Sequence, residues 1–470
     1  MIQAAGTSAS TRDLPAGFAG ELIGPSHPAY DEARSLFNGM FDKRPGLIAR
    51  CTGPADVQAA LAHARARNLT VAVRGGGHSI PGHSSCDGGI VIDIGPMKRI
   101  QIDAGKRAGR FGAGLTWGEL DQATQQYGLA VTGGRVTHTG VAGLTLGSGS
   151  GWLERKYGMT GESLLSAQIV TADGQILRAS QQDNPELLWG LKGGGGNFGV
   201  VTEFEFRLHP VGPMVFAGMI LHPRAAATEL ARFYRDFMQQ APDEAGGAFA
   251  LLTAPHEEPV PEQAQGKPAC GVIMFYAGDP QEGQAAFRSL LHWGQPWVNR
   301  AGPMPYTALQ QLTDRMHPWG ISMYVKIDYL RELPGQAIDA MVDMAGSARS
   351  PFTQVQLCPL GGALSRTNRT TMALTIPNTP WMYYCLAQWH DPAAKDPEIA
   401  WARTFMHTMR RWSAGQAPAN FISPDDSKDR LSASYGAERL HRLVALKDKY
   451  DPGNTFSLNP NIPPSMTAAQ

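Results

Sequence analysis

The stretch 71-VAVRGGGHSIPGHSSCDGGIVID-93 decides how this chain is read. An apolar run over 69–73 ends at Arg74, three glycines carry the backbone to His78, and a second apolar run occupies 90–94. Apolar β-branched runs flanking a glycine-rich turn predict two buried strands joined by a loop. Glycine tolerates positive φ, has no side chain, and leaves backbone N–H groups free to face phosphate oxygens. The loop is therefore expected to wrap a ligand, with His78 held against it.

Working outward, a strand over 47–50 and a helix opening at Pro54 lead into this loop. Proline suits a first helical position, and Val57, Ala60, Leu61 and Ala64 form one apolar face. A strand-like piece follows over 98–103, then a helix over 116–127 with Leu120 and Ala123 inward. A second glycine-rich stretch, GGRVTHTGVAGLTLGSGSGW, starts at Gly133 and ends at Trp152, with seven glycines spread over 19 residues. It has no proline and several apolar residues, unlike a flexible linker, so it predicts ordered backbone against a flat ligand. It is not GxGxxG between strand and helix, which argues against a nicotinamide-type site.

Asp173-Gly174 between apolar runs predicts a two-residue hairpin. Val200, Thr202, Phe204, Phe206 and Leu208 alternate with their neighbours as a half-buried strand does. His209-Pro210-Val211-Gly212-Pro213 marks a boundary. Beyond it, helix-like segments over 225–239, 280–292 and 333–347 are interleaved with strands over 272–276, 354–358 and 383–389. That pattern predicts a sheet with helices on one face and the other face free to lie over the ligand. A helix over 437–449, with Leu440, Leu443, Val444 and Lys447 at helical spacing, precedes the tail YDPGNTFSLNPNIPP.

The 470 residues suffice for two domains and a returning tail. Hydrophobic residues at 43% and charged residues at 17% describe an ordinary globular protein. Lys plus Arg and Asp plus Glu both number 41, so no basic footprint points to nucleic acid or a membrane surface. The first residues lack an apolar h-region, and no apolar stretch reaches about 18 residues, so a cytoplasmic location is expected. Five cysteines without a CxxC pair predict free, buried thiols in a reducing compartment, and no metal site is expected.

Together these stretches resemble the berberine-bridge-enzyme-like branch of the vanillyl-alcohol-oxidase, or PCMH-type, flavoprotein superfamily, over most of the chain. RGGGHS resembles the loop whose histidine bonds covalently to the 8α-methyl of FAD. KGGGGNFGVVT resembles the adenine and pyrophosphate segment, and YDPGNTFSLNPNIPP the C-terminal signature that returns to the flavin domain. The resemblance implies an α+β fold: a PCMH-type two-part FAD-binding domain, plus a substrate domain whose antiparallel sheet is covered by helices on one face. It divides the chain into a flexible arm (1–18), the FAD-binding domain (19–212), the substrate-binding domain (213–415) and the returning C-terminal segment (416–470).

The implied function is an FAD-dependent oxidase, its flavin attached through one histidine. Its implied substrate is a fairly apolar small molecule, aromatic, alcohol or polyketide-derived, with dioxygen as acceptor. The chain is also similar to bacterial polyketide-tailoring members such as the enterocin-pathway flavoenzyme, which keeps open an oxygenase using an oxygenated flavin. A catalytically impaired flavin-binding protein is a third reading. The chain is expected to be a monomer or homodimer.

By position His78 matches the histidyl-flavin residue. The resemblance also assigns to the cofactor Arg74, Gly75, Gly76, Gly77, Ser79, Gly82 and His83 from the first loop. From the second it takes Gly134, Thr137, His138, Thr139, Gly140, Gly143, Leu144, Gly147 and Trp152, then Val200, Val201, Asn459 and Asn461. Many relatives attach the flavin a second time through a cysteine that falls here on Val136, so a single attachment is implied. Thr139 falls at the family's oxygen gatekeeper, with Leu144 on the same wall. The sheet positions that carry the family's base fall on Gln356 and Gln388, which with Thr139 are the catalytic expectations. A glutamine is no base at neutral pH and can only orient or donate a hydrogen bond. Three tyrosines of the relatives fall on Ile80, Ser150 and Pro418, which implies an apolar, weakly basic site. Tyr383, Tyr384, Tyr435 and Glu203 remain, and the two strand tyrosines are read as core.

Overall fold

The computed structural model describes residues 17–374, 378–423, 425–426 and 428–465. Of the expected arm, 1–16 lie outside the described residues, and Phe18 at its end packs against the first core.

Two small sheets build the first half. The strands Leu47–Arg50, Ile90–Asp93 and Val71–Arg74 pair in parallel, with Glu21–Ile23 antiparallel on one edge. The helix Pro54–Ala66 connects the first of these to the third, burying Val57, Ala60, Leu61 and Ala64 against them as its spacing predicts. The second sheet is antiparallel, ordered Ile100–Asp103, Ala108–Gly112, Val200–Arg207, Leu164–Val170, Ile176–Ser180. The last two strands do form a hairpin around Asp173-Gly174, but through the longer connection 171–175 rather than the two-residue turn expected. Thr116 opens the helix Trp117–Gln125 with a capping box that Glu119 completes, a pairing that satisfies two backbone donors.

The second half carries one antiparallel sheet of eight strands, including Met214–Pro223, Pro268–Tyr276, Ala245–Thr253, Gln354–Pro359, Trp381–Trp389 and Ser322–Leu330. The helices Ala227–Gln240, Gly335–Gly346 and Lys395–Met409 cover one face, where Tyr234, Met341 and Phe405 meet Phe249, Val272 and Val355. The other face turns toward the first half. The expected helix over 280–292 is two short helices, Pro280–Ala286 and Arg288–Leu291.

The final helix, Ala437–Tyr450, returns to the first half and fixes the tail there. Lys447 is fully buried, and its Nζ donates to Asn197 O (3.1 Å), Phe456 O (3.0 Å) and Asp451 Oδ2 (2.7 Å). Asn197 answers from the glycine run, its Oδ1 accepting from Ile462 N at 3.0 Å. No helix among the described residues is long and apolar enough to cross a membrane. All five cysteines are free and buried, and no group of three or more His, Cys, Asp or Glu among the described residues could hold a metal.

Candidate active site

The site grows from two glycine loops pressed together. A Cβ on Gly76 would sit 2.5 Å from Gly140 N, and one on Gly140 would sit 2.4 Å from Gly76 N, so neither position has room for a side chain. Gly77 has φ +66°, a conformation that favours glycine. Among the described residues, no backbone N–H from Gly75 to Ser79 donates a hydrogen bond to the protein. Consecutive unpaired N–H groups in a glycine turn form an anion cradle, which fits the diphosphate of a dinucleotide. The loop opens onto a cleft of about 340 Å³, lined by both glycine stretches, Gly195 and Gly196, the inner sheet face and the tail.

His78 stands on the wall of this cleft. Phe37 stacks on its ring, with centroids 3.7 Å apart at 12°, and Trp319 approaches edge-on at 6.2 Å. Its Nε2 lies 2.8 Å from His138 Nδ1, and its Nδ1 lies 3.5 Å from Thr139 Oγ1. Burial, then the neighbouring His138, holds the His78 imidazole well below its usual range, and burial lowers His138 as well. Both rings are therefore neutral at physiological pH, and the hydrogen bond between them places one proton on the shared edge. With that proton on His78 Nε2, its Nδ1 keeps a lone pair.

The sheet contributes Met323, Val325, Leu386, Gln356 and Tyr384 to the cleft. Tyr384 is the correction to the core reading: Tyr383 is buried in the helix-covered core, whereas its neighbour, pointing to the opposite face, lines the cleft. Arg135 Nη1 reaches Tyr384 Oη at 3.4 Å and Ser150 Oγ at 3.2 Å, while Arg135 Nη2 pairs with the buried Glu154 at 2.7 Å. Burial pushes the Tyr384 phenol up to about 12, with Arg135 pulling the other way. Among the described residues, no aspartate or glutamate lines this cleft.

The expected residues divide clearly. Gly75, Gly76, Gly77, His78, Ser79, His83, Gly134, Thr139, Gly140, Gly143, Leu144, Gly147, Trp152, Val200, Val201, Asn459 and Gln356 all line the cleft. Arg74, Gly82, Thr137, His138 and Asn461 stand outside its lining. Arg74 donates to Ala33 O, and Thr137 N donates to Asp314 Oδ1 at 2.8 Å. Gln388 shares a strand face with Tyr384 and Leu386, but it is fully buried, donates to Phe352 O at 3.0 Å, and does not line the cleft. Tyr435 donates to Gly193 O at 3.0 Å, a support for the glycine run.

Sequence reasoning missed Phe37, Arg135 and His317 in the lining. His317 Nδ1 lies 2.9 Å from Thr313 O, which accepts its proton and leaves Nε2 unprotonated. Only Arg135 gave a signal, as the lone cation inside the second glycine stretch.

Behind the cleft, Asp121 is buried with Oδ2 accepting from Gln310 Nε2 at 2.6 Å; the same nitrogen also reaches Gly134 O at 3.3 Å. Burial pushes this carboxyl up to about 7. A raised native value means the folded state holds an extra proton, so the stability this group contributes is complete at low pH and is lost as pH rises through about 7. Asp121→Asn should therefore melt increasingly above the parent between about pH 4 and about pH 7, by at most about 1.4 kcal/mol per pH unit, with the gap levelling off above that. Thermal melts with a constant offset across that range would refute it.

Comparison with known proteins agrees with this geometry. The FAD binding domain family matches residues 45–180, and the berberine and berberine-like family matches 419–463. The chain is 29% identical over 467 residues to (R)-6-hydroxynicotine oxidase of Paenarthrobacter nicotinovorans, covering 96% of this chain and 98% of that one. The crystal structure of 6-hydroxy-D-nicotine oxidase from Arthrobacter nicotinovorans superposes with a TM-score of 0.84 at 26% identity, covering 97% and 99%. An FAD-dependent monooxygenase of Cochliobolus heterostrophus is 33% identical over 204 residues, 43% of this chain and 39% of that one.

Proposed function

We infer that this chain, which carries an FAD binding domain and a berberine-like segment, is an FAD-linked oxidoreductase of the berberine-bridge-enzyme-like kind. From that premise we propose that it is an oxidase, holding FAD covalently through His78 alone and taking electrons from an apolar phenolic or enolisable small molecule to dioxygen. Bound FAD supplies the two-electron acceptor; the protein supplies place and charge. The glycine turn 75–77 would hold the diphosphate, and His78 would anchor the ring end. Val136, where relatives carry a cysteine, offers no nucleophilic sulfur.

The observation that carries this reading is the composition of the cleft: a neutral His78 and the Arg135–Tyr384 pair share it, with no carboxylate among the described residues. A substrate oxygen seated at Tyr384 Oη would meet a phenol that donates and a guanidinium that stabilises developing negative charge. Burial keeps the Tyr384 phenol protonated, at about 12, so Tyr384 donates to the substrate oxygen while the Arg135 guanidinium balances charge developing there. Met323, Val325 and Leu386 suit an apolar body and exclude water.

The test is acid precipitation of the purified protein and of His78→Ala. Yellow colour is expected to stay with the wild-type pellet and to remain in the supernatant of the variant. Colour lost from both pellets refutes the covalent attachment. Turnover should release one peroxide per substrate oxidised. A second reading, transfer of an oxygen atom to the substrate, rests on the monooxygenase relative and on small Thr139 beside His78; label from ¹⁸O₂ in the product would select it.

A further inference from the structure

Lys192 ends the short helix Pro185–Leu191 and precedes the glycine run 193–196. Its side chain does not join the cofactor cleft. It lines a separate cleft of about 550 Å³ that shares no residue with the first. This second cleft lies where the domains meet, with Lys156, Lys192 and His209 from one side and Arg366 from the other. Its volume falls in the range of small-molecule sites, roughly 300–1,000 Å³.

The charges in it are unevenly answered. Lys156 donates to Ala277 O at 2.6 Å and faces Glu244 at 3.5 Å, and Arg366 pairs with Asp243. Glu162, the one carboxylate in the lining, accepts from Met159 N at 2.9 Å through Oε2 and also acts electrostatically on Lys192. His209 is held neutral by burial, at about 4, and stacks on Tyr157 at 4.2 Å. Lys192 is only 8% exposed, yet among the described residues its ammonium has neither a hydrogen bond nor an ion pair. Glu162 acts on this ammonium only at longer range than an ion pair, so a small anion in the cleft would give Lys192 its direct partner.

We propose that this interdomain cleft is a second ligand site, taking a small organic anion whose carboxylate or phosphate seats on Lys192 with Arg366 at the mouth. Because both domains line it, an occupant bridges them.

The holoprotein would be titrated calorimetrically at fixed ionic strength, in chloride, with citrate and separately with inorganic phosphate. Saturable one-site binding of at least one probe is expected. Affinity should fall at least about tenfold in Lys192→Met, and several-fold in Arg366→Met, with the visible spectrum unchanged. Arg366 is mostly exposed, so its replacement tests the site without disturbing a core. Saturation by phosphate marks a phosphate ester as the natural occupant, and saturation by citrate alone marks a carboxylate. The proposal is overturned if neither probe saturates below about 10 mM, or if both variants bind like the parent.

Discussion

Replacing Lys447 by Met is expected to cost about 3–5 kcal/mol of stability, because it strands a buried carboxylate without its cation. All three protons of the Lys447 ammonium are used: Asn197 O, Phe456 O and Asp451 Oδ2 accept them, and lysine and aspartate are both fully buried. Asp451 would keep two donors, Thr455 N at 2.8 Å and Phe456 N at 2.9 Å, which soften the loss without removing it. Adding Asp451→Asn to Lys447→Met should recover part of the stability, since the remaining damage is then the unpaired Asn197 carbonyl, Phe456 O still accepting from Asn459 Nδ2 at 2.9 Å. Chemical denaturation of the three variants checks this. A Lys447→Met midpoint equal to the parent's would show that the ammonium does not hold the tail.

Tyr384→Phe should lower kcat by roughly 10²–10³-fold while leaving bound FAD and the fold unchanged. The ring contact with Phe421, edge-on at 5.9 Å, survives the change; the hydroxyl that meets Arg135 does not. Because the phenol titrates only near 12, the deficit should be the same from about pH 6 to about pH 9. Arg135→Lys should fall between parent and Tyr384→Phe, a point charge replacing a planar fork. Substrate for these assays would come from a screen of phenols and enolisable carbonyls for peroxide release. A Tyr384→Phe rate within about twofold of the parent would remove Tyr384 from the chemistry.

Much of the first half was legible because its signals are local. The glycine turn at 75–77, Pro54 at a first helical position, and Asp173-Gly174 each act within a few residues. Those places came out as read, the hairpin with a longer connection. The second half was harder for a physical reason. The strand Ala245–Thr253 is buried on both faces, so it lacks the alternation that marks a half-buried strand. Strand parity put Tyr384, Leu386 and Gln388 on one face, but parity carries no information about depth, and Phe352 claims Gln388 at the strand end. Phe37, Arg135 and His317 meet in one cleft from three distant segments, a convergence that only the folded chain displays.

The lock between Lys447 and Asn197 spans 250 residues of chain. At roughly 5–20 residues per second of synthesis, the glycine run waits roughly 10–50 s for the helix that secures it. The whole eight-stranded sheet is translated in that interval. Closure of the glycine run by the tail therefore waits for Lys447: a nascent chain stalled before it carries both glycine loops and the sheet face, but no bolt to hold them shut.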